Sequence, residues 1–234
     1  MENTINFTSK NGEYLTASPL SEGQQLMYEE ACRQFKNERA QYCLNVPAKG
    51  SNLFKVLLLN QIGIRTATMS ELDQIVQEDS DFLKKISKDV PSVVLRNRAF
   101  KLNRGNDDKN YSLANTLIKL TGKKEFNAPF VVNGLEIEED NQSIYGLNFK
   151  PGKNFNYFEV PELAHSNDQK KFTKQDERGM PIFDNEGTRV LYTKENGLSR
   201  LYMDGDLSLY SWSDDLNVSL DNSKVIVIKP GEKK

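Results

Sequence analysis

An α+β fold is predicted, with helices in the first half of the chain and antiparallel strands in the second. Three observations carry that expectation. A capped amphipathic segment opens at Ser21, and further helix-periodic segments follow it. From about Ala128, β-branched and aromatic residues alternate with polar ones between Gly and Pro. Helices and strands do not take turns along the chain, so a βαβ winding is not expected.

Ser21 and Gln24 fit a capping box, and Tyr28, Ala31, Cys32 and Phe35 recur at helical spacing, which predicts a helix over about 22–38. Leu53 to Ile62 reads as a largely buried helix, with Gly63 as its C-cap. Ser70 opens a third helix carrying Leu72, Ile75 and Val76 on one side. The polar stretch from Glu78 to Lys88 reads as a short helix or turn around Phe82 and Leu83. Val93 to Leu95 is strand-like, and Ser112 to Thr121 is a helix stopped by Gly122. Later strand candidates are Phe130 to Val132, Ile144 to Phe149, Phe155 to Val160, Arg189 to Tyr192 and Val225 to Ile228. Lys150 to Lys153 reads as a turn and Asp184 to Gly187 as a hairpin loop.

A length of 234 residues allows one large domain or two small ones at roughly 100–200 residues each; a single domain over 1–234 is expected. With 37% hydrophobic and 27% charged residues the composition is that of a globular protein. A net charge of -2 argues against broad nucleic-acid binding, which needs a strongly basic surface. The two cysteines, Cys32 and Cys43, are read as reduced thiols, with Cys32 on a helix's apolar stripe. The start, MENTINFTSK, lacks the apolar core of a signal peptide, and the longest apolar run, Val56 to Leu59, is too short to span a bilayer. A soluble chain without membrane insertion is expected, its location otherwise open, display on a cell or particle surface included.

Motifs for chemistry are sparse. The lone histidine, His165, reads as a structural, hydrogen-bonded residue rather than a base, and two distant cysteines with one histidine make a poor zinc set. Neither G-x-S-x-G, a Walker A loop nor G-x-G-x-x-G occurs. The acid run Glu136, Glu138, Glu139 and Asp140 reads as a solvated face, and Asp204 with Asp206 lacks the glycine of a calcium loop, Leu209 standing there instead. No catalytic residue, metal or cofactor is expected.

The informative stretch is GLSRLYMDGDLSLYSWSDDLNVSLDNSKVIVI, from Gly197 to Ile228. From Leu201 the odd positions are small or apolar: Leu201, Met203, Gly205, Leu207, Leu209 and Ser211. The even positions are Tyr202, Asp204, Asp206, Ser208, Tyr210 and Trp212. An extended chain sends alternate side chains to opposite faces, so one set faces a core and the other solvent. Tyr, Trp, Ser and Asp are a paratope's residues, giving contact area at low entropic cost together with adaptable hydrogen bonds.

Gly197 to Tyr202, the Leu207-x-Leu209 pair and Val225 to Ile228 resemble the C-terminal region of archaeal variable proteins from diversity-generating retroelements. So do Gly63 to Thr68, Tyr145-Gly146-Leu147, Pro161-Glu162-Leu163, His165-Ser166-Asn167 and Pro181 to Asp184, and the resemblance covers most of the chain after about Ser51. It implies a C-type lectin-like fold with a hypervariable ligand-binding region at about 198–224. In such systems template adenines are randomised, and asparagine codons give Asp, Ser, Tyr, Val, Leu and Asn among others. Asp204, Asp206, Ser208, Tyr210, Ser213, Asp215, Val218, Leu220 and Asn222 are such products. Trp212 needs a lysine codon and is the least secure of the ligand-binding set. Leu198, Leu201, Leu207, Leu209 and Leu216 would be scaffold, as would Tyr202. Trp212-Ser213-Asp214 only loosely echoes a calcium-binding lectin motif, so sugar binding through calcium is not implied.

The expected function is therefore binding of a protein or glycan ligand, on another cell or particle, with oligomeric state open. Two alternatives stand beside it. A hydrolase built on His165 would lose turnover in His165→Ala. A structural or assembly protein would be indifferent to changes at the even positions.

Overall fold

The computed structural model describes residues 4–46, 50–96, 111–123, 127–164, 169–194, 197–213 and 215–232. Five helices and two sheets, of three and eight strands, make a mixed α+β architecture among these residues.

The chain does not begin with helices. An antiparallel hairpin, β1 (Ile5–Thr8) and β2 (Tyr14–Pro19), precedes them, turning at Gly12 with φ +85°. The C-terminal strand β11 (Ile226–Pro230) pairs antiparallel with β2, so the two ends of the chain share one small sheet.

Helix α1 (Glu22–Arg33) starts at the expected Ser21–Gln24 capping box but ends well before 38. The reason is Asn37, whose side chain caps a separate helix, α2 (Glu38–Leu44), by accepting from the backbone N–H groups of Arg39 and Ala40. Helix α3 (Leu53–Gln61) is buried along Leu53 to Leu59, Lys55 included, and Gly63 ends it at φ +86°. Helix α4 (Met69–Glu78) is capped by Thr68 with Glu71, not by Ser70. A 3-10 turn at Ser80–Phe82 leads to β3 (Lys88–Arg96), and α5 (Tyr111–Thr121) stops at Gly122.

The long strands β4 (Phe130–Glu139) and β5 (Leu147–Glu159) pair across a bulge between Asn133 and Leu135. The turn expected at 150–153 lies inside β5. Pro151 is tolerated there because β5 is the sheet's edge and loses no ladder bond to a missing N–H. Gly134, at φ +66°, makes the bulge possible, since a Cβ there would sit 2.2 Å from the Asn154 carbonyl oxygen. The real turn spans 140–146, which leaves Ile144 outside the strand and exposed. Strands β6 (Lys171–Gln175), β7 (Pro181–Phe183) and β8 (Arg189–Thr193) follow. Because β6 lies between β7 and β8, the segment 184–187 crosses over rather than closing a hairpin. The antiparallel hairpin β9 (Gly197–Met203) and β10 (Leu209–Ser211) completes the order β5-β4-β3-β9-β10-β8-β6-β7.

Both faces of the sheet's central strands, β3, β4 and β9, are covered. Val93, Leu95, Phe130, Val132 and Leu198 pack with α1, α2, α3 and α5. Val90, Val94, Val131, Leu201 and Met203 pack on the other face, with α4 and the small sheet. A buried ion pair ties α4 to this sheet: Asp73 accepts from Arg189 of β8 and from the backbone N–H of Gln175 at 3.1 Å, with side chains 1% and 5% exposed for the acid and base.

Removing one member of a buried pair strands the other charge. Arg189→Met is expected to lower unfolding free energy by about 3–5 kcal/mol in urea titrations. A loss below about 1 kcal/mol would mean that Lys10, whose ammonium is 3.6 Å from Asp73, takes over the pairing.

Candidate functional site

The site begins with β9, the strand between β3 and β10, all seven residues of which are buried. Its hairpin with β10 interrupts the extended segment expected from 201 to 212. The chain turns over 204–208, held by Leu207 N–H to the Asp204 carbonyl at 2.9 Å and Asp204 N–H to the Ser208 carbonyl at 3.0 Å. Leu207 adopts φ +67°, a strained conformation for a branched residue, while its side chain is buried. The five leucines expected as scaffold, Leu198, Leu201, Leu207, Leu209 and Leu216, are all buried.

The two-face pattern holds only in part. Met203, Leu209 and Ser211 are buried, as the odd positions should be. Among the even positions Tyr202 and Ser208 are buried as well. Tyr202 sits on a strand covered on both faces. Ser208 is fixed by its hydroxyl, which accepts from the Val190 N–H at 3.1 Å where β10 meets β8. Ser208 is therefore corrected from a solvent-facing position to a structural one. Asp204 is half-buried and accepts a hydrogen bond from the Ser87 hydroxyl, and Asp206, which is exposed, accepts from the Ser208 N–H at 2.9 Å. Trp212, at 52%, and Leu220, at 39%, are the most open apolar side chains of the set. Asn222 is exposed, and Ser213, Asp215 and Val218 are half-buried.

Strand register brings together three tyrosines. Tyr210 faces Tyr202 across β9 and β10, and Tyr192 across β10 and β8. Their rings stack, with centroids 5.1 Å and 4.5 Å apart and planes within 20° and 19°. The Arg200 guanidinium caps the row, 4.3 Å over Tyr202. Burial, then the Asp206 carboxylate, pushes the Tyr210 hydroxyl well above its ordinary pKa. No local sequence signal marks Tyr192, because its place depends on a pairing of distant strands.

The segment after β10 is held mainly through its backbone. Arg200 donates to the Val218 carbonyl at 3.0 Å, and its own N–H to the Ser213 carbonyl at 3.1 Å. Asn52 donates to the Asn217 carbonyl at 3.1 Å, and the Ser87 N–H to the Asn222 carbonyl at 3.3 Å. Beneath β10, Arg96 of β3 donates to the Ser211 carbonyl and to the hydroxyls of Thr193, Ser199 and Ser211. Lys88 is 1% exposed, and its ammonium donates to the carbonyls of Leu83 at 2.7 Å and Asp204 at 3.4 Å. Burial pushes its pKa down to about 7, against the pull of Asp204 and Asp206.

His165 and Asp214 lie outside the described residues. Among the described residues no three His, Cys, Asp or Glu side chains gather as metal ligands, and no helix is long and apolar enough to cross a membrane. Cys32 and Cys43 are free thiols. Glu136 pairs with Lys150 at 3.4 Å, and Glu139 accepts from the Lys36 and Asn37 N–H groups, so part of the acid run is structural. No family model, curated protein or solved structure matches this chain.

Leu209→Ala is expected to cost about 2–5 kcal/mol in denaturant melts, because it opens a cavity under the hairpin. Alanine at Asp206, Trp212, Leu220 and Asn222 should each stay within about 0.5 kcal/mol. Equal losses at both sets would remove the distinction between support and surface.

Lys88 also sets a pH dependence. Its folded pKa of about 7 lies below the ordinary 10.5, as does that of Lys55 at about 8, so the unfolded chain binds more protons between these values. The cost of burying the charged amines is fully present below the folded pKa values and shrinks as pH rises. Stability is expected to increase from about pH 7 to about pH 9, before tyrosine and cysteine ionisation opposes it. Lys88→Met should flatten that rise; an unchanged slope would show that Lys88 is not titrating there.

Proposed function

We propose that this chain is a non-enzymatic ligand-binding protein, the variable protein of a diversity-generating retroelement, displaying a diversified surface on a C-type lectin-like scaffold. The ligand is a protein or glycan borne by another cell or particle. Its contact surface comprises Asp206, Tyr210, Trp212, Ser213, Asp215, Val218, Leu220 and Asn222, with Asp204 at the margin.

One observation carries the reading. The segment from Ser213 to Asn222 is gripped largely at its carbonyl oxygens, by Arg200, Asn52 and Ser87, which stand outside it. A grip on the main chain is indifferent to side-chain identity, which is what a surface open to replacement requires. The tyrosine row adds a rigid aromatic base beside it, and aromatic anchors of this kind dominate binding energies.

Two measurements test the proposal. The DNA beside the coding sequence should carry a near-identical repeat of the region encoding about 198–224, differing mainly at adenines and close to a reverse transcriptase gene. A flanking sequence with neither removes the retroelement assignment. With a ligand in hand, Tyr210→Ala and Trp212→Ala should each weaken binding by about 2 kcal/mol or more while the melting curve survives. Unchanged affinity in both places the contact surface elsewhere.

A further inference from the structure

We propose that β1 is a docking edge for a second copy of this chain, whose own β1 pairs with it antiparallel about a two-fold axis at Asn6. The strand lies at one edge of the small sheet, beside β2. A bond of 2.9 Å from the Ser9 N–H to the Glu13 carbonyl fixes which groups face β2. Bonded and non-bonded pairs alternate along an antiparallel ladder, so Phe7 and Ile5 exchange main-chain bonds with Leu15 and Ala17. The N–H and C=O groups of Asn6 and Thr8 therefore point out of the sheet. No main-chain or side-chain group among the described residues bonds to them.

The other sheet edges are blunted. On β5 the Asn148 side-chain oxygen takes the Phe149 N–H at 2.9 Å, Pro151 has no N–H, and Arg178 reaches the Glu159 carbonyl at 3.4 Å. The edge strand β7 is short and begins at Pro181. The outer side of β11 is bonded to the segment before α4, Ala67 N–H to the Ile226 carbonyl at 2.8 Å and Ile228 N–H to the Arg65 carbonyl at 2.9 Å. Unpaired edges recruit other strands, and charge or proline is the usual guard. Neither guards β1. Ile5 to Thr8 is uncharged, and so is β2 behind it. Lys10, just beyond the strand, is drawn elsewhere: its ammonium donates to the Gln175 and Asp176 carbonyls and lies 3.6 Å from Asp73.

The side chains select a second copy and its register. Centred on Asn6, the pairing sets Asn6 against the partner's Asn6, Thr4 against the partner's Thr8, and Ile5 against the partner's Phe7. Thr4 continues the alternation of Asn6 and Thr8, so the Asn6 and Thr4–Thr8 pairings join outward-facing groups and exchange main-chain bonds in both directions. A register centred on Phe7 would engage only Asn6 and Thr8 within the strand and set Thr4 against Lys10. The Asn6 register also matches like with like on each face. Thr4, Asn6 and Thr8 are exposed, and threonine pairs stabilise such a face. On the other face Phe7 is buried, and Ile5, half-buried against the same core, gains the partner's Phe7. No charge meets its like. The contact is small, so the association is weak and concentration-dependent. None of these residues belongs to the contact surface proposed above.

The test is sedimentation velocity of the full chain at rising concentration. The expected result is a reversible shift from monomer to dimer. Asn6→Lys sets like charges against each other at the axis and should weaken the dimer about fivefold. Thr8→Pro removes an outward N–H from each copy and should weaken it about tenfold or more. Both variants should stay folded, since each leaves the ladder with β2 intact. In air-oxidised samples Asn6→Cys should trap a covalent dimer, because the two Cα atoms of that pair lie about 5.5 Å apart, within disulfide range. Thr8→Cys, facing the partner's Thr4, should cross-link no more than the wild type. A monomer at every concentration, or wild-type association in both Asn6→Lys and Thr8→Pro, overturns the proposal. Equal cross-linking in Asn6→Cys and Thr8→Cys overturns the register and the two-fold pairing with it.

Discussion

The hairpin and the segment beyond it depend on one side chain, Arg200. It is 3% exposed in the middle of the large sheet, where an unpaired charge is prohibitively costly. Asp89 of β3 compensates it, its two oxygens 3.0 and 3.2 Å from the same guanidinium nitrogen, and the Ser51 hydroxyl steadies Asp89 in turn. The same nitrogen reaches the Val218 carbonyl, and the guanidinium plane covers Tyr202. Strand pairing, the tyrosine row and the path of the following segment therefore converge on one ion. Buried pairs are weak contributors to net stability but costly to break, so this arrangement acts more as a specifier of geometry than as a source of stability.

That logic explains which parts of the fold were legible. Local signals were sufficient for α3, α5 and the start of α1, because a capping box or a terminal glycine acts within a few residues. Two further local signals are explicit in the sequence. Asn11-Gly12, between two short alternating runs, is a strong hairpin signature and marks the β1–β2 turn. Thr68 with Glu71 is a capping box, and it starts α4 two residues before Ser70. What no local signal carries is register. The placement of β6 between β7 and β8, and of Tyr192 beside Tyr210, rests on pairings between strands distant in sequence. A period of two over 201–212 sorts faces only along a single straight strand. The turn at 204–208 reverses the chain inside that window, so parity no longer decides which face a residue occupies.

Under the proposed function, the candidate surface is uneven in how much change it tolerates. The turn between β9 and β10 is tightly specified. Leu207 holds a positive φ with its side chain in the core, Ser208 supplies an acceptor to β8, and the Asp204 side chain and main chain meet Ser87 and Lys88. Replacing these residues alters the support as well as the surface. Tyr210 is intermediate: its backbone pairs on both sides, but its ring lies between two other tyrosines. A smaller residue there leaves the faces of Tyr192 and Tyr202 uncovered, so sequence change at 210 exchanges one apolar surface for another rather than removing it. From Ser213 to Asn222 the constraint falls mainly on the main chain, and among the described residues there Leu216 alone is fully buried. Diversity placed there changes what is presented without changing how it is held, and the capacity of the surface to vary is concentrated in that segment rather than in the hairpin that introduces it.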